Sequence, residues 1–533
     1  MVFTLHRYVF RELLKVFLLA AIALTLILSL GSILQPVQQQ GVGPRQVLHL
    51  IVYFLPITLT FVLPMAALFA SALVYGRFAS DNELDACRAS GVSLMTIIYP
   101  GLALAIAVAI ANLLLSFHVM PYFVHLAEKS LKADAKQILF RNIERRGYYE
   151  VPDDRHYIYA DDVSYENDAL LGIVVAEIEA GQIGRIITAE SARITFQSRG
   201  QFNEVHIAPY RVAQIGTMDA QGFTMGGAGF LLEFGSLLGD AIKFKKVEQM
   251  KAIRARLTRF YPIARIARET YAQIMMELLA REIRSTLDRS PDSLYRLYSG
   301  AKSVRFTADR CEVHADGTIL LADNVTVMEQ DLNEDTPPRT FHCPTAVLQL
   351  DVEGLTPTLM MHLSHPRIEE TGELPMTHIV RGLVVPASVE EITHLYKSRD
   401  NALLARKLAE PVPQIEDPSP ELERLRNDLN YTILKTLARI RSEMHSRLSF
   451  GIGCIPMILI GIGLGIIKRG GHLLTAFGAS CIPAAVLIVC IMSGKNVAEN
   501  LGSNIEMGII VMWAGVGFLA TLTALVYHRL LRT

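Results

Sequence analysis

"RFASDNELDACRASGVS", residues Arg77 to Ser93, joins two long stretches of sequence that carry no charge. The segment is short, charged and nearly free of helix breakers. It reads as an amphipathic helix over about residues 79–92. Glu83, Asp85 and Arg88 supply its polar groups, Leu84, Ala86 and Cys87 a small apolar contact, and Gly91 the residue that commonly ends a helix. What flanks it sets the class of the protein.

Outward from this segment, six runs lack any Asp, Glu, Lys or Arg: Val16 to Leu34, Ile51 to Gly76, Leu94 to Phe117, Leu448 to Ile467, Leu473 to Gly494 and Met507 to Tyr527. Each has about 19 residues or more, enough to cross a hydrocarbon core of roughly 30 Å as a helix. Lipid offers the backbone no hydrogen-bond partner, which makes helices the natural reading. Buried helices of a large soluble core are the alternative. The formal net charge is −1, so no basic surplus suggests nucleic acid.

His6, Arg7, Arg11 and Lys15 before the first run resemble the basic start of a signal peptide. The run is longer than such a segment needs and no A-x-A-like site follows it, so it reads as a retained span. Loop charges orient the set. With alternating helices, Arg7, Arg11, Lys15, Arg77, Arg88, Lys468, Arg469, Arg529 and Arg532 share one side, and Arg45 and Lys495 lie on the other. Both termini and the opening segment are then expected in the cytoplasm.

Between the third and fourth runs lies the long segment expected outside. "RHYIYADDVSY" and "RIITAESARITF" alternate like half-buried strands; so do "KSVRFTADRCEVH" and "TILLADNVTVMEQ", joined by the turn signal "ADG". "ITAESARI" and "FTADRCEV" form a faint internal echo. A helix is predicted over Ile263 to Arg289. A second starts near Ser419 with Ser-Pro-Glu and carries an apolar stripe from Leu422 to Met444 into the fourth span. "AEPVPQIEDPSP" precedes it as a linker.

The cysteines outside the spans on that side, Cys311 and Cys343, suggest a disulfide between neighbouring strands; a metal site with His314 and His342 is the rival. No phosphate-binding G-x-x-x-x-G-K-[ST], no G-x-S-x-G and no H-E-x-x-H occurs. No uncharged run contains an ionisable Asp, Glu, Lys or Arg that would form a proton relay. On these residues alone the opening helix is either a handle for a soluble partner or a plain interfacial helix.

"HRYVFRELLKVFLLA", "SDNELDACRASGVS" and "EMHSRLSFGIGCIPMILIGIGLGI" together resemble the lipopolysaccharide-export permease family, LptF and LptG (YjgP/YjgQ). The pattern E-L-x-A-x-R-A-x-G-x-S is the most specific part. The resemblance implies a membrane α-helical fold of six transmembrane helices, three plus three. A large periplasmic β-rich, β-jellyroll-like domain is inserted between helices 3 and 4. The expected divisions are 1–120 with the coupling helix, 121–447 with a helical insert, and 448–533. It also implies the permease subunit of an ABC transporter in the bacterial inner membrane, extracting lipopolysaccharide or a related lipid. Its partners would be an LptB-like ATPase dimer, which binds the ATP so that this chain needs no cofactor and no metal, a second LptF- or LptG-like permease, and an LptC/LptA-like periplasmic bridge. "FTADRCEVHADGTILLADNVTV" is similar to strands of those bridge proteins.

Carried onto this chain, the resemblance gives Glu83, Arg88 and Gly91 the ATPase-coupling role. Family members place basic residues near the outer end of the first span, facing lipid phosphates. Here that end reads "LQPVQQQGVGPRQ", which leaves Arg45, with Lys495, as lipid-phosphate candidates by position; interface anchors are their plainer reading. A different ABC-type permease or mechanical transducer, and a membrane-anchored scaffold without an ATPase, remain alternatives.

Overall fold

A computed structural model describes the chain except residues 1, 41–43, 134, 152–155, 180–181, 200–201, 217–222, 226–229, 235–240, 290–292, 301, 315–316, 333–336, 352–357, 369–371, 374–376, 390–400, 468–472, 501, 503 and 533. It divides into two compact units, Met1–Lys251 with Leu434–Thr533, and Ala252–Ile433.

Among the described residues, six helices are long and apolar enough to cross a membrane: Phe3–Ser29, Ile51–Ser80, Leu94–Lys132, Pro420–Ile467, Cys481–Glu499 and Ile505–Arg532. The first two belong to α1 (Val2–Gln40) and α2 (Pro44–Ser80), joined to the third by α3 (Glu83–Ala89). The third is not one regular helix. It comprises α4 (Leu94–Leu114), a π-turn over Leu115–Val119, and α5 (Met120–Ala133), so it outruns its uncharged stretch.

Proline explains how α4 is held. Pro100 has no N–H, which frees the carbonyl of Thr96 one turn back. His6 of α1 supplies the missing donor, its Nε2 2.8 Å from Thr96 O. One residue on, the Tyr75 hydroxyl of α2 donates to Ile97 O (3.0 Å) and accepts from Gly101 N–H (3.2 Å). A side chain thus stands inside the ladder of α4, and three helices share one set of backbone bonds.

The last two spans, α11 (Leu473–Glu499) and α12 (Ile505–Arg532), meet at two glycines. A Cβ on Gly494 would stand 2.6 Å from Gly508 O, and one on Gly508 2.5 Å from both Gly494 O and Ala498 N. Backbone against backbone leaves nothing that can swing away.

The same unit carries β1 (Tyr148–Glu150), β2 (His156–Tyr159), β3 (Asp162–Ser164), β7 (Phe223–Met225), β8 (Phe230–Phe234) and three longer strands, β4 to β6, in an antiparallel sheet of order β1-β2-β4-β5-β6-β7, with β3 on β4 and β8 on β6. Its long strands are β4 (Ala169–Glu179), β5 (Gln182–Arg199) and β6 (Phe202–Gly216). Ile158, Leu170, Ile194, Val205 and Ile207 turn inward against Ile138, Leu139, Phe140 and Ile143 of α6 (Ala135–Arg146).

The second unit holds its own sheet. Its strands include β9 (Tyr295–Ser299), β10 (Lys302–Thr307), β11 (Arg310–Val313), β12 (Ile319–Asp331), β13 (Arg339–Asp351), β14 (Thr358–Ser364) and β17 (Thr377–Val384). The pairings β12-β10-β9-β17-β14-β13-β12 close a barrel, filled by side chains such as Leu297, Phe306, Val327, Phe341, Leu348 and Met361. The β-rich region is therefore two sheets in two units. Of the predicted "ADG" turn, Ala315 and Asp316 lie outside the described residues; Gly317 has φ 79° and its N–H donates to His314 O (3.0 Å) between β11 and β12. The echo "ITAESARI" lies within β5, whereas "FTADRCEV" breaks between β10 and β11, so equal letters do not form equal structure here. The predicted helix at Ile263 is α8 (Tyr261–Leu287), which follows α7 (Val247–Ala255) in the chain. Ser419 caps the next long helix, as expected: its Oγ accepts from Leu422 N–H (3.1 Å) and donates to Glu277 of α8. That helix, α10 (Pro420–Ile467), runs unbroken into its span; α9 (Asn401–Ala409) precedes it.

Cys311 and Cys343 are free and buried. This corrects the disulfide expectation. Cys311 pairs across to Leu321 of β12, and Cys343 to Val325 on the opposite edge of β12, so a strand separates them. Neighbouring strands lie about 4.8 Å apart, so two strand spacings exceed the reach of a disulfide.

Two outcomes follow from these contacts. Gly508→Val should push α11 from α12 and lower thermal stability by about 1–3 kcal/mol or more, read as a loss of folded protein in detergent. In the barrel, Glu329 is 8 % exposed and bound by His378 Nε2 (3.2 Å) and Lys302 Nζ. The hydrogen bond from His378, with the Lys302 cation, holds its carboxyl down at about 2 against an ordinary 4.5. A carboxyl lowered on folding stabilises above its unfolded value, and that stability drains as pH falls through the window from 4.5 toward 2. Hydrogen-exchange protection of β12, corrected for intrinsic rates, should fall across that window in the native chain. Glu329→Gln should be less protected at pH 6 and flatter with acid.

Candidate functional site

The helix α3 is seven residues long and cannot be stable by itself. Its neighbours hold it. Leu84, 2 % exposed, is its buried residue and sits in one apolar cluster with Val9, Leu13, Phe78, Leu94 and Ile97 of α1, α2 and α4. Asn82 takes a left-handed conformation (φ 58°) at the entry, which turns the chain sharply off the end of α2. The exit is a Schellman motif: Val92 N–H donates to Cys87 O (3.0 Å) and Gly91 N–H to Arg88 O (2.9 Å). Gly91 has φ +80°, which accounts for glycine there. Ser93 Oγ then accepts from Thr96 N–H (3.3 Å) and starts α4.

Glu83, Arg88 and Gly91 are all exposed along this surface. Around it, Arg77 pairs with Glu12 of α1 (3.1 Å) and Tyr8 stacks on Phe78 at 5.8 Å. The three residues named from sequence thus share one exposed element whose underside is anchored in three spans. A force on that element reaches α1, α2 and α4 together.

The other candidates fall elsewhere. Arg45 lies in the first turn of α2, and its side chain is outside the described residues. Lys495, in the last turns of α11, binds Glu443 of α10. Any phosphate contact by Lys495 would compete with that pair. Glu443 also accepts from Arg447 Nε (3.0 Å), whose Nη2 donates to the carbonyls of Lys243 (2.8 Å) and Lys245 (3.4 Å). Arg439–Glu499 (3.1 Å) and Arg441–Glu506 (2.7 Å) lie nearby. This cluster stands at the end of the helices opposite α3. Sequence reasoning missed it. Its one signal was the i, i+4 spacing of Glu443 and Arg447 just before an uncharged run.

Glu443 and Arg447 are 7 % and 5 % exposed, so losing the shared carboxylate leaves buried positive charge without an answer. Glu443→Gln should destabilise by about 3–5 kcal/mol. Glu443→Gln with Lys495→Met should recover part of that loss, and a double-mutant cycle on thermal unfolding measures the coupling.

Compared with known families, residues 7–209 match the model described as lipopolysaccharide export system permease LptF/LptG. That stretch contains α1 to α5, the coupling-helix candidate and most of the first sheet. No curated protein matches the chain significantly. The match includes α3, whose outer face is exposed and whose Leu84 packs against α1, α2 and α4. Over residues 7–209, the chain is thus similar to the LptF/LptG family of lipopolysaccharide export permeases, a family of transporter components.

Proposed function

We propose that the chain is the transmembrane subunit of an ABC transporter that lifts lipopolysaccharide, or a related lipid, out of the bacterial inner membrane. The observation that carries this reading is α3, exposed on one face and buried at Leu84 on the other, between the second and third spans. In this reading an LptB-like ATPase dimer grips Glu83, Arg88 and the turn at Gly91. Its closure on ATP moves α3, and the shared contacts of His6, Tyr75, Arg77 and Leu84 carry that movement into α1, α2 and α4. The work comes from the ATPase, and this chain transmits it.

A second LptF- or LptG-like subunit completes the lipid cavity, and an LptC/LptA-like bridge receives the lipid from the β-rich region in the periplasm. Both termini and α3 face the cytoplasm in this reading. Arg7, Arg11, Lys15, Arg77, Arg88, Arg529 and Arg532 support it, because an excess of cations marks the cytoplasmic side. On the opposite end, Arg439, Arg441 and Arg447 belong to the long segment between the third and fourth spans, and long segments translocate largely regardless of their charge.

Glu83→Lys separates coupling from folding. Glu83 opens α3, so reversal costs at most about 1 kcal/mol through the helix dipole and surface charge. A charge pair at an interface turned into a like-charge contact costs several kcal/mol. The variant should fold and reach the membrane, yet co-purify with far less ATPase and lose coupled ATP hydrolysis. Normal assembly and transport would remove Glu83 from the interface. A variant that does not fold would make α3 structural.

A further inference from the structure

We propose that the turn Ile242–Phe244, with Lys243 and Lys246, binds the phosphate of an anionic phospholipid resident in the surrounding bilayer. This goes beyond the transport reading, since the lipid is a fixed companion of the protein and not its cargo.

The turn is pinned from inside. Arg447, 5 % exposed, donates through Nη2 to the carbonyls of Lys243 and Lys245. Arg447 immediately precedes the uncharged run that begins at Leu448, and its guanidinium lies 5.8 Å over the ring of Phe117, the last residue of another such run. Two spans therefore end at the height of this turn, which is the height of lipid headgroups. Ile242 is buried beneath it.

Both lysines reach aromatic rings at this boundary, and Lys246 is partly buried. Lys243 is exposed, with its ammonium 4.8 Å over the ring of Phe244. The ammonium of Lys246 lies 5.6 Å over Tyr122, itself half exposed on α5. A cation over an aromatic ring at the interface is a familiar way to hold charge at the polar boundary of a membrane. Among the described residues neither Lys243 nor Lys246 has a carboxylate partner, whereas Arg439, Arg441 and Lys495 at the same end each have one.

Charge beneath the turn is not balanced either. Arg447 and Lys495 share the single carboxylate of Glu443, and Arg447 Nη1 is buried without a hydrogen-bond partner. Around Glu443 two cations thus share one carboxylate, and the anion available at this depth is a lipid phosphate. Lys243 and Lys246 belong to one short segment, so both ammonium groups serve the same headgroup layer. Lysine suits it as a point charge that needs no fixed fork geometry.

The test uses the full chain, purified in detergent, stripped of lipid and titrated with phosphatidylglycerol or phosphatidylcholine, with retained lipid counted by native mass spectrometry. The unmodified chain should retain phosphatidylglycerol with a preference of about tenfold or more, as two lysines near a lipid surface imply. Lys243→Glu with Lys246→Glu should abolish the preference, and Lys243→Arg with Lys246→Arg should keep it. Fluorescence of Trp513, the chain's single tryptophan, reports whether each variant is folded. Equal retention of both lipids by the unmodified chain overturns the proposal without any variant. So does an unchanged preference in the charge-reversed variant, or a defect seen with lipopolysaccharide alone. ATPase coupling is not part of this readout, so the result stands apart from the role of α3.

Discussion

A backbone carbonyl inside a bilayer has no water to turn to, and the membrane half of this protein is arranged around that shortage. Pro100 breaks one bond of α4, and the repair comes from another helix, through His6. Tyr75 stands between the carbonyl and the amide of the next turn. These repairs do more than satisfy atoms. They make α1, α2 and α4 a single block, because separating any one of them exposes a polar group worth several kcal/mol in lipid. The helix α3 sits on the end of that block. A short exposed element becomes a lever only if what lies beneath it is stiff.

Charge follows the same logic at the far end. Arg439, Arg441, Arg447 and Lys495 there are fixed by Glu443, Glu499 and Glu506, and the most buried of them, Arg447, also grips the carbonyls of a turn. A buried ion pair is weak evidence for stability, since desolvating both partners offsets their attraction. It is better evidence for geometry. Arg447 touches α10, the π-turn of the third span through Phe117, and the chain at residues 243–245, so these three keep one arrangement. A π-turn inside a span is uncommon and costs hydrogen-bond quality, and such turns recur at working sites. Here it lies where a buried cation meets the helix.

The β-rich region shows how two sheets solve the edge problem differently. The first stays open and covers its apolar face with α6. The second closes on itself, and among the described residues one pair, Val384 with Tyr298, joins β17 to β9. Glu329 of β12 reaches His378 of β17, linking strands that are not neighbours in the ring. Outside the barrel, Glu277 of α8 receives both the backbone and the side chain of Ser419, so the start of α10 is held by a tertiary carboxylate as well as by its own cap. The family match ends at residue 209, before this second unit begins at Ala252.

Much of this was legible in the chain itself. Six uncharged runs fall on six membrane-capable helices, because a bilayer demands length and apolarity and both are written residue by residue. The short helix at Glu83, its glycine stop and the Ser-Pro-Glu start of α10 were readable because caps and turns are local. The β-strands at Arg185, Lys302 and Thr318 were readable from alternation. What the sequence left open required partners distant in the chain. The free state of Cys311 and Cys343 depends on which strand lies between them, and pairing order is not local. The commitment of Lys495 to Glu443, 52 residues away, depends on two helices crossing. The division of the β-rich region into two units depends on which strands close a ring. Composition and periodicity specify what each segment is; only packing decides what it meets, because a side chain's partner is chosen in space and the sequence records only order.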